Sequence, residues 1–143
     1  LIDAVSKGGN LLLNVGPTAR GEFDPNAQAT LRSIGAWMRL HSRSIYGATQ
    51  SEYLAPADCR FTQRGNRLYL HIFSWPMRHI HVPGLAGRVA YAQLLNDGSE
   101  IRMQEQAKDV ERLQKNADVL TLEMPVQRPD VLVPVVELFL KDK

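Results

Sequence analysis

Carboxylate side chains are the first candidates for chemistry, because acid–base hydrolysis uses one group to donate a proton and another to accept one. Glu22 and Asp24 stand close together in the segment GPTARGEFDP, and Asp3 lies near the first residue. Asp24 precedes Pro25, a pattern typical of a helix N-terminus, so we expect its side chain to cap a helix. Glu22 is expected at the surface of a loop and Asp3 on an exposed helical turn. These residues alone predict no complete catalytic pair.

The histidines could suggest a metal site. His79 and His81 share one face of a predicted strand, because side chains alternate with a period of two, and His71 lies nearby. A zinc site needs three or four ligands, and no further ligands occur at a suitable spacing. We therefore predict neither a metal site nor a cofactor. His41 lies at the predicted C-terminal end of a helix, where we interpret it as a partner of the helix dipole.

Nucleophile and phosphate-binding motifs are absent from the sequence. The segment SKGGN lacks the Gly-x-Ser-x-Gly order of a nucleophile elbow and the order of a phosphate-binding loop. Cys59 is the only cysteine, so no intrachain disulfide is possible, and we interpret it as a small buried apolar residue. Four aromatic residues could form a platform that stacks on sugars, or could belong to a core and its rim. They are Tyr53, Tyr69, Trp75 and Tyr91.

The first part of the chain has the pattern of a helix end, a strand and a second helix. Residues 1–9 resemble the last turns of a helix that ends at Gly8. Leu11–Val15 is a short apolar run interrupted only by Asn14, which predicts a strand that is covered on both faces. A helix is predicted from Asp24 to about His41, with an apolar stripe at Ala27, Leu31, Ile34 and Met38 and with Trp37 beside the stripe. A strand of this kind needs neighbours that residues 1–50 do not supply.

The second part predicts an antiparallel β-sandwich of seven short strands separated by turn residues. The polar segment QAKDVERLQKNADV is interpreted as a hairpin connection, with a short helix as the alternative. The sequence therefore predicts a mostly β fold, with residues 1–50 as a β/α unit and residues 51–143 as the sandwich. The predicted strands are Cys59–Gln63, Arg67–Phe73, His79–Val82, Arg88–Leu95, Ile101–Gln104, Val119–Met124 and Val135–Leu140.

Composition restricts the partners of this chain. Its 143 residues carry 17 basic and 15 acidic side chains, and no dense basic cluster is present, so we expect no nucleic-acid binding. The apolar runs are shorter than a membrane span, so we expect no membrane insertion. The chain starts at Leu1 without a leader segment, and we expect it to be a fragment of a longer protein.

The order of several segments resembles the C-terminal part of family 29 glycoside hydrolases, the α-L-fucosidases. The resemblance rests on VSKGGNLLLNVGP, on the helix that ends in IGAWMRLHSRSIYG, and on the RFT that follows. In that family the first segment forms a late strand of a (β/α)8-like barrel. The resemblance therefore implies that residues 1–50 are a remnant of such a barrel, and that a retaining fucosidase precedes the β-sandwich.

The resemblance also restricts the site residues. In the family the catalytic carboxylates and the histidines that hold fucose belong to segments upstream of these motifs, so no catalytic residue is transferred to this chain. Asn14, Gly16, Pro17 and Glu22 remain as candidates for a loop near the substrate. The sequence departs from the family where RGEFDP replaces Asp-Gly-x-Ile-Pro and where HSR replaces Asn-Gly-Glu.

Further expectations concern partners and location. The resemblance implies fucosylated glycans as substrates of the whole enzyme and a secreted, periplasmic or lysosomal location. The chain by itself is expected to be catalytically inactive. Because the predicted strand Leu11–Val15 lacks neighbours, we expect the chain to self-associate. The alternative function is a carbohydrate-binding or structural β-sandwich.

Overall fold

The computed structural model describes residues 1–105 and 118–142. Helix α1 (Ile2–Ser6) is followed by an irregular segment, helix α2 (Pro25–His41) and a short 3-10 helix (Ser42–Ser44). The seven strands are β1 (Cys59–Arg64), β2 (Arg67–Ile72), β3 (His79–Pro83), β4 (Val89–Leu94), β5 (Arg102–Glu105), β6 (Val119–Glu123) and β7 (Val135–Leu140). No helix in the described ranges is both long and apolar enough to cross a membrane.

The strands form two antiparallel sheets that confirm the predicted mostly β sandwich. One sheet has the order β1-β2-β7-β4, and the other has the order β3-β6-β5. All seven predicted strands are present, with ends shifted by at most one residue. Gly65, with φ 57°, occupies the predicted turn between β1 and β2, where a residue with a side chain would be strained. Most of the predicted connection over residues 106–119 lies outside the described residues.

The main core lies between the two sheets. Leu70 and Leu138 from the first sheet and Val82 and Leu122 from the second are fully buried and belong to one cluster. These residues alternate with outward-facing ones along each strand, as expected for a sandwich. The burial of Cys59 in this core confirms its interpretation as an apolar residue, and burial raises the pKa of its thiol to about 11.

The helices form a third layer on the outer face of the four-stranded sheet. Trp37 and Ile45 pack with Tyr69, Leu95 and Val135 in a second cluster, to which α1 adds two side chains. The Trp37 Nε1–H donates a hydrogen bond to the carbonyl of Val133 at 2.7 Å. Residues from both predicted domains, 1–50 and 51–143, thus belong to this second cluster. The domain boundary at residue 50 stays a prediction.

The predicted strand Leu11–Val15 is not formed, so this prediction is wrong for the chain as described. In the described part of the chain these residues belong to no strand, and Leu12 is 86% exposed. A strand buried on both faces needs neighbours, and among the described residues none of the seven strands pairs with this segment.

Helix α2 is present but packs differently from its prediction. Asp24 and Pro25 begin it and His41 ends it, as the sequence predicted. The buried side chains are Trp37 and His41, whereas the predicted stripe is only half-buried. His41 does contact a carbonyl of the last helical turn, that of Trp37, but its ring is fully buried and burial lowers its pKa, so it contacts this carbonyl as a buried group.

Candidate functional site

The loop before α2 brings three of the four candidate residues together. Pro17 pairs with Phe23 in an isolated antiparallel bridge, and the Thr18 amide donates to the Glu22 carbonyl at 2.7 Å. The Thr18 hydroxyl accepts a further hydrogen bond from the Glu22 amide at 3.2 Å. The backbone of this loop is therefore fixed by Thr18, while the side chain of Glu22 is exposed.

The carboxylates of the first part of the chain are occupied by structural roles. Asp24 Oδ2 accepts hydrogen bonds from the amides of Asn26 at 2.9 Å and Ala27 at 3.2 Å, which confirms its predicted role as a helix cap. Asp3 bonds Lys7 at 2.7 Å and Arg60 at 2.8 Å, and these partners lower its pKa to about 2. Because both carboxylates have structural partners, neither forms a catalytic pair with Glu22. Gly16 in this loop is exposed, and so is Asn14, which precedes the loop.

An exposed apolar face surrounds a groove of about 690 Å³ between the irregular segment, α2 and the sheet. Leu11, Leu13, Phe73 and Leu132 are between 47% and 61% exposed. Single exposed apolar residues are common, but a contiguous group of them marks an interaction surface. We use "apolar face" for the following set: Leu11, Leu13, Ile34, Met38, Phe73 and Leu132.

A buried polar cluster lies beneath the C-terminal end of α2. It consists of His41, Ser44, Thr62 and His71, all fully buried. The ring of His41 stacks on Trp37 at a centroid distance of 4.8 Å and an angle of 11°. The Thr62 hydroxyl donates to the Ser44 carbonyl at 2.6 Å and lies 3.0 Å from His71 Nε2. This cluster joins the helical layer to strands β1 and β2.

A buried carboxylate lies on the same outer face of the sheet. Glu137 is 2% exposed, and its Oε2 accepts a hydrogen bond from Gln93 Nε2 at 2.8 Å. Arg43 Nη2 lies 3.3 Å from the same oxygen and compensates its charge. Burial and the neighbouring Glu137 raise the pKa of Tyr69. Glu137 is thus held by its neighbours and faces no open site.

The strand histidines do not assemble a metal centre. The rings of His79 and His81 lie 6.3 Å apart on β3, and His81 Nδ1 lies 2.9 Å from the Thr121 hydroxyl. Within residues 1–105 and 118–142, no group of three or more His, Cys, Asp or Glu side chains is arranged to hold a metal ion. His71 lies away from this pair, on the opposite sheet.

The aromatic residues do not form one platform. Tyr69 is buried under the helices, and Tyr91 contacts the edge of Phe139 at a centroid distance of 5.4 Å. Trp75 donates from Nε1 to the Pro125 carbonyl at 3.1 Å. Tyr53 is the member that borders an open polar groove, of about 530 Å³, at one end of the sandwich. Glu52, Asn66, Arg88 and Asp142 line the same groove.

The comparisons with known proteins agree with one another. Residues 1–43 match the family model described as alpha-L-fucosidase. The α-L-fucosidase of Branchiostoma floridae is 35% identical over 81 residues, which cover 53% of this chain and 18% of that protein. The tissue α-L-fucosidase of Bos taurus is 36% identical over 80 residues, which cover 53% of this chain and 16% of that protein.

Solved structures extend the similarity to nearly the whole chain. The α-L-fucosidase isoenzyme 1 from Paenibacillus thiaminolyticus aligns with 99% of this chain and 33% of its own at 42% identity and a TM-score of 0.87. The chain matches the C-terminal part of an α-L-fucosidase. The GH29 α-L-fucosidase from Bacteroides thetaiotaomicron, described as a trapped covalent intermediate, aligns with 99% of this chain and 31% of its own at 26% identity and a TM-score of 0.82.

The chain spans less than a fifth of these curated α-L-fucosidases and about a third of the solved ones. The resemblance stated from the sequence motifs is therefore confirmed, including its restriction to a C-terminal region. The buried polar groups beneath α2 were not predicted. A signal was present for Glu137, because one acidic residue inside the strand VVELFL must have partners if it is buried.

Proposed function

We propose that the protein to which these residues belong hydrolyses α-L-fucosides of glycans with retention of configuration, and that its catalytic carboxylates lie outside residues 1–143. The structural match that spans 99% of this chain and a third of the Paenibacillus α-L-fucosidase supports this proposal. A retaining reaction needs a nucleophilic carboxylate and an acid/base carboxylate about 5 Å apart. Glu22, Asp24 and Asp3 do not form such a pair, because Asp24 and Asp3 are held by structural partners.

The apolar face is the surface that we assign to the rest of the enzyme. Leu11 and Leu13 belong to the segment that matches the fucosidase family model, yet they are 47% and 54% exposed here. Burial of such side chains contributes roughly 25 cal/mol per Å² of apolar surface. A catalytic domain that covers this face would bury Leu11–Val15 and would place the loop at Gly16, Pro17 and Glu22 at the boundary of the two parts. Asn14 precedes this loop.

A direct experiment compares the 143-residue chain with a longer protein that contains it. With an aryl α-L-fucoside as substrate, we expect no turnover by residues 1–143 and clear turnover by the longer protein. Glu22→Gln in the longer protein is expected to retain turnover, because the proposal gives this side chain no covalent or proton-transfer role. Turnover by residues 1–143 alone would show that the catalytic pair has been misplaced.

Carbohydrate binding by the sandwich is the second candidate function. The groove at Tyr53 combines an aromatic ring with carboxylate, amide and guanidinium groups, which is the chemistry of a sugar subsite. Fucose titrated into the 143-residue chain would be followed by calorimetry, with Tyr53→Ala as the variant and Tyr46→Ala as the control outside the groove. Saturable binding lost only in Tyr53→Ala would support this function. No heat of binding would count against it.

A further inference from the structure

The two buried histidines have tautomers that their hydrogen bonds determine. A carbonyl oxygen only accepts, so His41 Nδ1, which lies 2.9 Å from the Trp37 carbonyl, must carry the proton. The Thr62 hydroxyl has a single proton, which it donates to Ser44, so His71 Nε2 must donate to Thr62. In the neutral rings, the remaining nitrogens, His41 Nε2 and His71 Nδ1, each carry a lone pair.

These two lone pairs have no hydrogen-bond donor in the part of the chain that the structure describes. Among the described residues, His41 Nε2 and His71 Nδ1 are buried without a hydrogen-bond partner. A proton bound at either nitrogen would create a buried cation without a hydrogen-bond acceptor, which is costly. The unfolded or detached form has no such penalty, because water solvates the imidazolium. Protonation therefore favours separation of the two surfaces that enclose the rings.

We propose that His41 and His71 form an acid-labile latch, which holds helix α2 on the four-stranded sheet at neutral pH and releases it on acidification. His41 belongs to the helix and His71 to strand β2, so the two rings lie on opposite sides of one interface. Release would expose Trp37, which stacks on His41 and bonds Val133. The latch does not depend on the proposed fucosidase activity.

The charged groups around the latch are already engaged. From β7, Glu137 is paired with Arg43 of the 3-10 helix. From β1, Arg60 is paired with Asp3 of α1. Strands β1 and β2 also carry Arg64, which lies against Gly47, and Arg67, which lies over the Phe139 ring. The raised pKa of Tyr69, on β2, keeps its hydroxyl neutral. None of these groups donates to or accepts from the two unpartnered nitrogens.

The direction of the pH effect follows from the neutral rings. Burial, and then the neighbouring His41, lower the pKa of His71 from 6.5 to about 3, and burial lowers the pKa of His41. A lowered pKa means that the stabilising contribution is complete above pH 6.5 and is lost as the pH falls below it. Each histidine should raise the constant for opening by up to about tenfold per pH unit below that value.

The test uses the 143-residue chain with Trp75→Phe, which leaves Trp37 as the only tryptophan. Urea titrations of Trp37 emission between pH 8 and pH 5 give the opening constant at each pH. His71→Gln retains a donor to Thr62, and His41→Asn retains a donor to the Trp37 carbonyl. We expect opening at pH 5 to take up about one proton at His71 and an additional amount at His41, with a smaller uptake in each variant and almost none in the double variant.

His79→Gln is the matched control, because His79 is exposed on a strand outside the latch. It should keep the proton uptake of its parent. An unchanged proton uptake in both His71→Gln and His41→Asn would overturn the proposal. If the variants do not fold, imidazole nitrogen NMR of the unmodified chain at pH 5.5 decides. Two neutral rings, one protonated at Nδ1 and one at Nε2, support the latch, and imidazolium signals from both would contradict it.

Discussion

At the scale of single residues, Asp24 illustrates why a carboxylate near a loop need not be catalytic. Its side chain satisfies two backbone amides that the first turn of α2 leaves without partners. Glu22, two residues earlier, has an exposed side chain and a backbone fixed by Thr18. The sequence assigned the cap correctly because Asp-Pro has a local meaning that does not depend on distant parts of the chain.

Replacing the cap tests this assignment. We expect Asp24→Ala to lower the free energy of unfolding by about 1 kcal/mol, because two amides of the first turn lose their acceptor. Urea unfolding followed by circular dichroism would measure the change. Glu22→Ala is the matched control and should lie within about 0.5 kcal/mol of the parent chain. Equal losses in the two variants would contradict the assignment.

Asp3 gives a prediction about pH. Hydrogen bonds from Lys7 and Arg60 lower the pKa of Asp3 from 3.8 to about 2, so its ionised form stabilises the folded chain above pH 3.8. This contribution is lost as the pH falls toward 2. We expect the urea midpoint of Asp3→Asn to lie below that of the parent at pH 6 and to approach it near pH 2. If the difference between the two urea midpoints increased as the pH fell, the predicted direction of the pH effect would be contradicted.

At the scale of elements, the seven strands could be predicted because each carries its own alternation and is bounded by turn residues. The strand predicted for Leu11–Val15 was wrong. Its apolar pattern is typical of a strand with neighbours on both sides, and residues 1–143 do not provide these neighbours. The packed face of α2 was also predicted incorrectly. The sheet buries Trp37 and His41, which do not belong to the regular apolar stripe that the sequence shows. The buried partners of Glu137 and His71 come from distant segments, which local patterns cannot connect.

Substitutions of two leucines can test the difference between a packed strand and the exposed segment Leu11–Val15. Leu122 of β6 is fully buried in the core, whereas Leu12 is 86% exposed. We expect Leu122→Ala to cost about 2–5 kcal/mol of unfolding free energy through lost burial and the cavity left behind. Leu12→Ala should change stability by less than about 0.5 kcal/mol. Urea unfolding of both variants would test this, and a large loss in Leu12→Ala would indicate a packed strand.

At the scale of the whole molecule, the apolar face is the feature that bears on self-association of the isolated chain. Its side chains line one groove and are accessible to a second copy. We expect concentration-dependent association of the 143-residue chain, measured by sedimentation velocity. The double variant Leu11→Ser and Leu13→Ser should weaken it.

Val126→Ser provides the control for this experiment, because Val126 is 87% exposed and does not line the groove. It should associate as the parent does. A parent chain that sediments as a monomer at high concentration would show that the apolar face does not mediate self-association.

The order of the four-stranded sheet has a consequence for biosynthesis. Strand β7 is the seventh along the chain, yet it lies between β2 and β4 and pairs with both. While a ribosome is still translating the residues before Val135, β2 and β4 have no partner that joins them, and Trp37 has not yet met the carbonyl of Val133. The four-stranded sheet and its helical cover can therefore assemble only after nearly all of these residues have emerged, and a stop codon upstream of β7 would leave the β1-β2 hairpin with an unpaired edge and β4 without a strand partner.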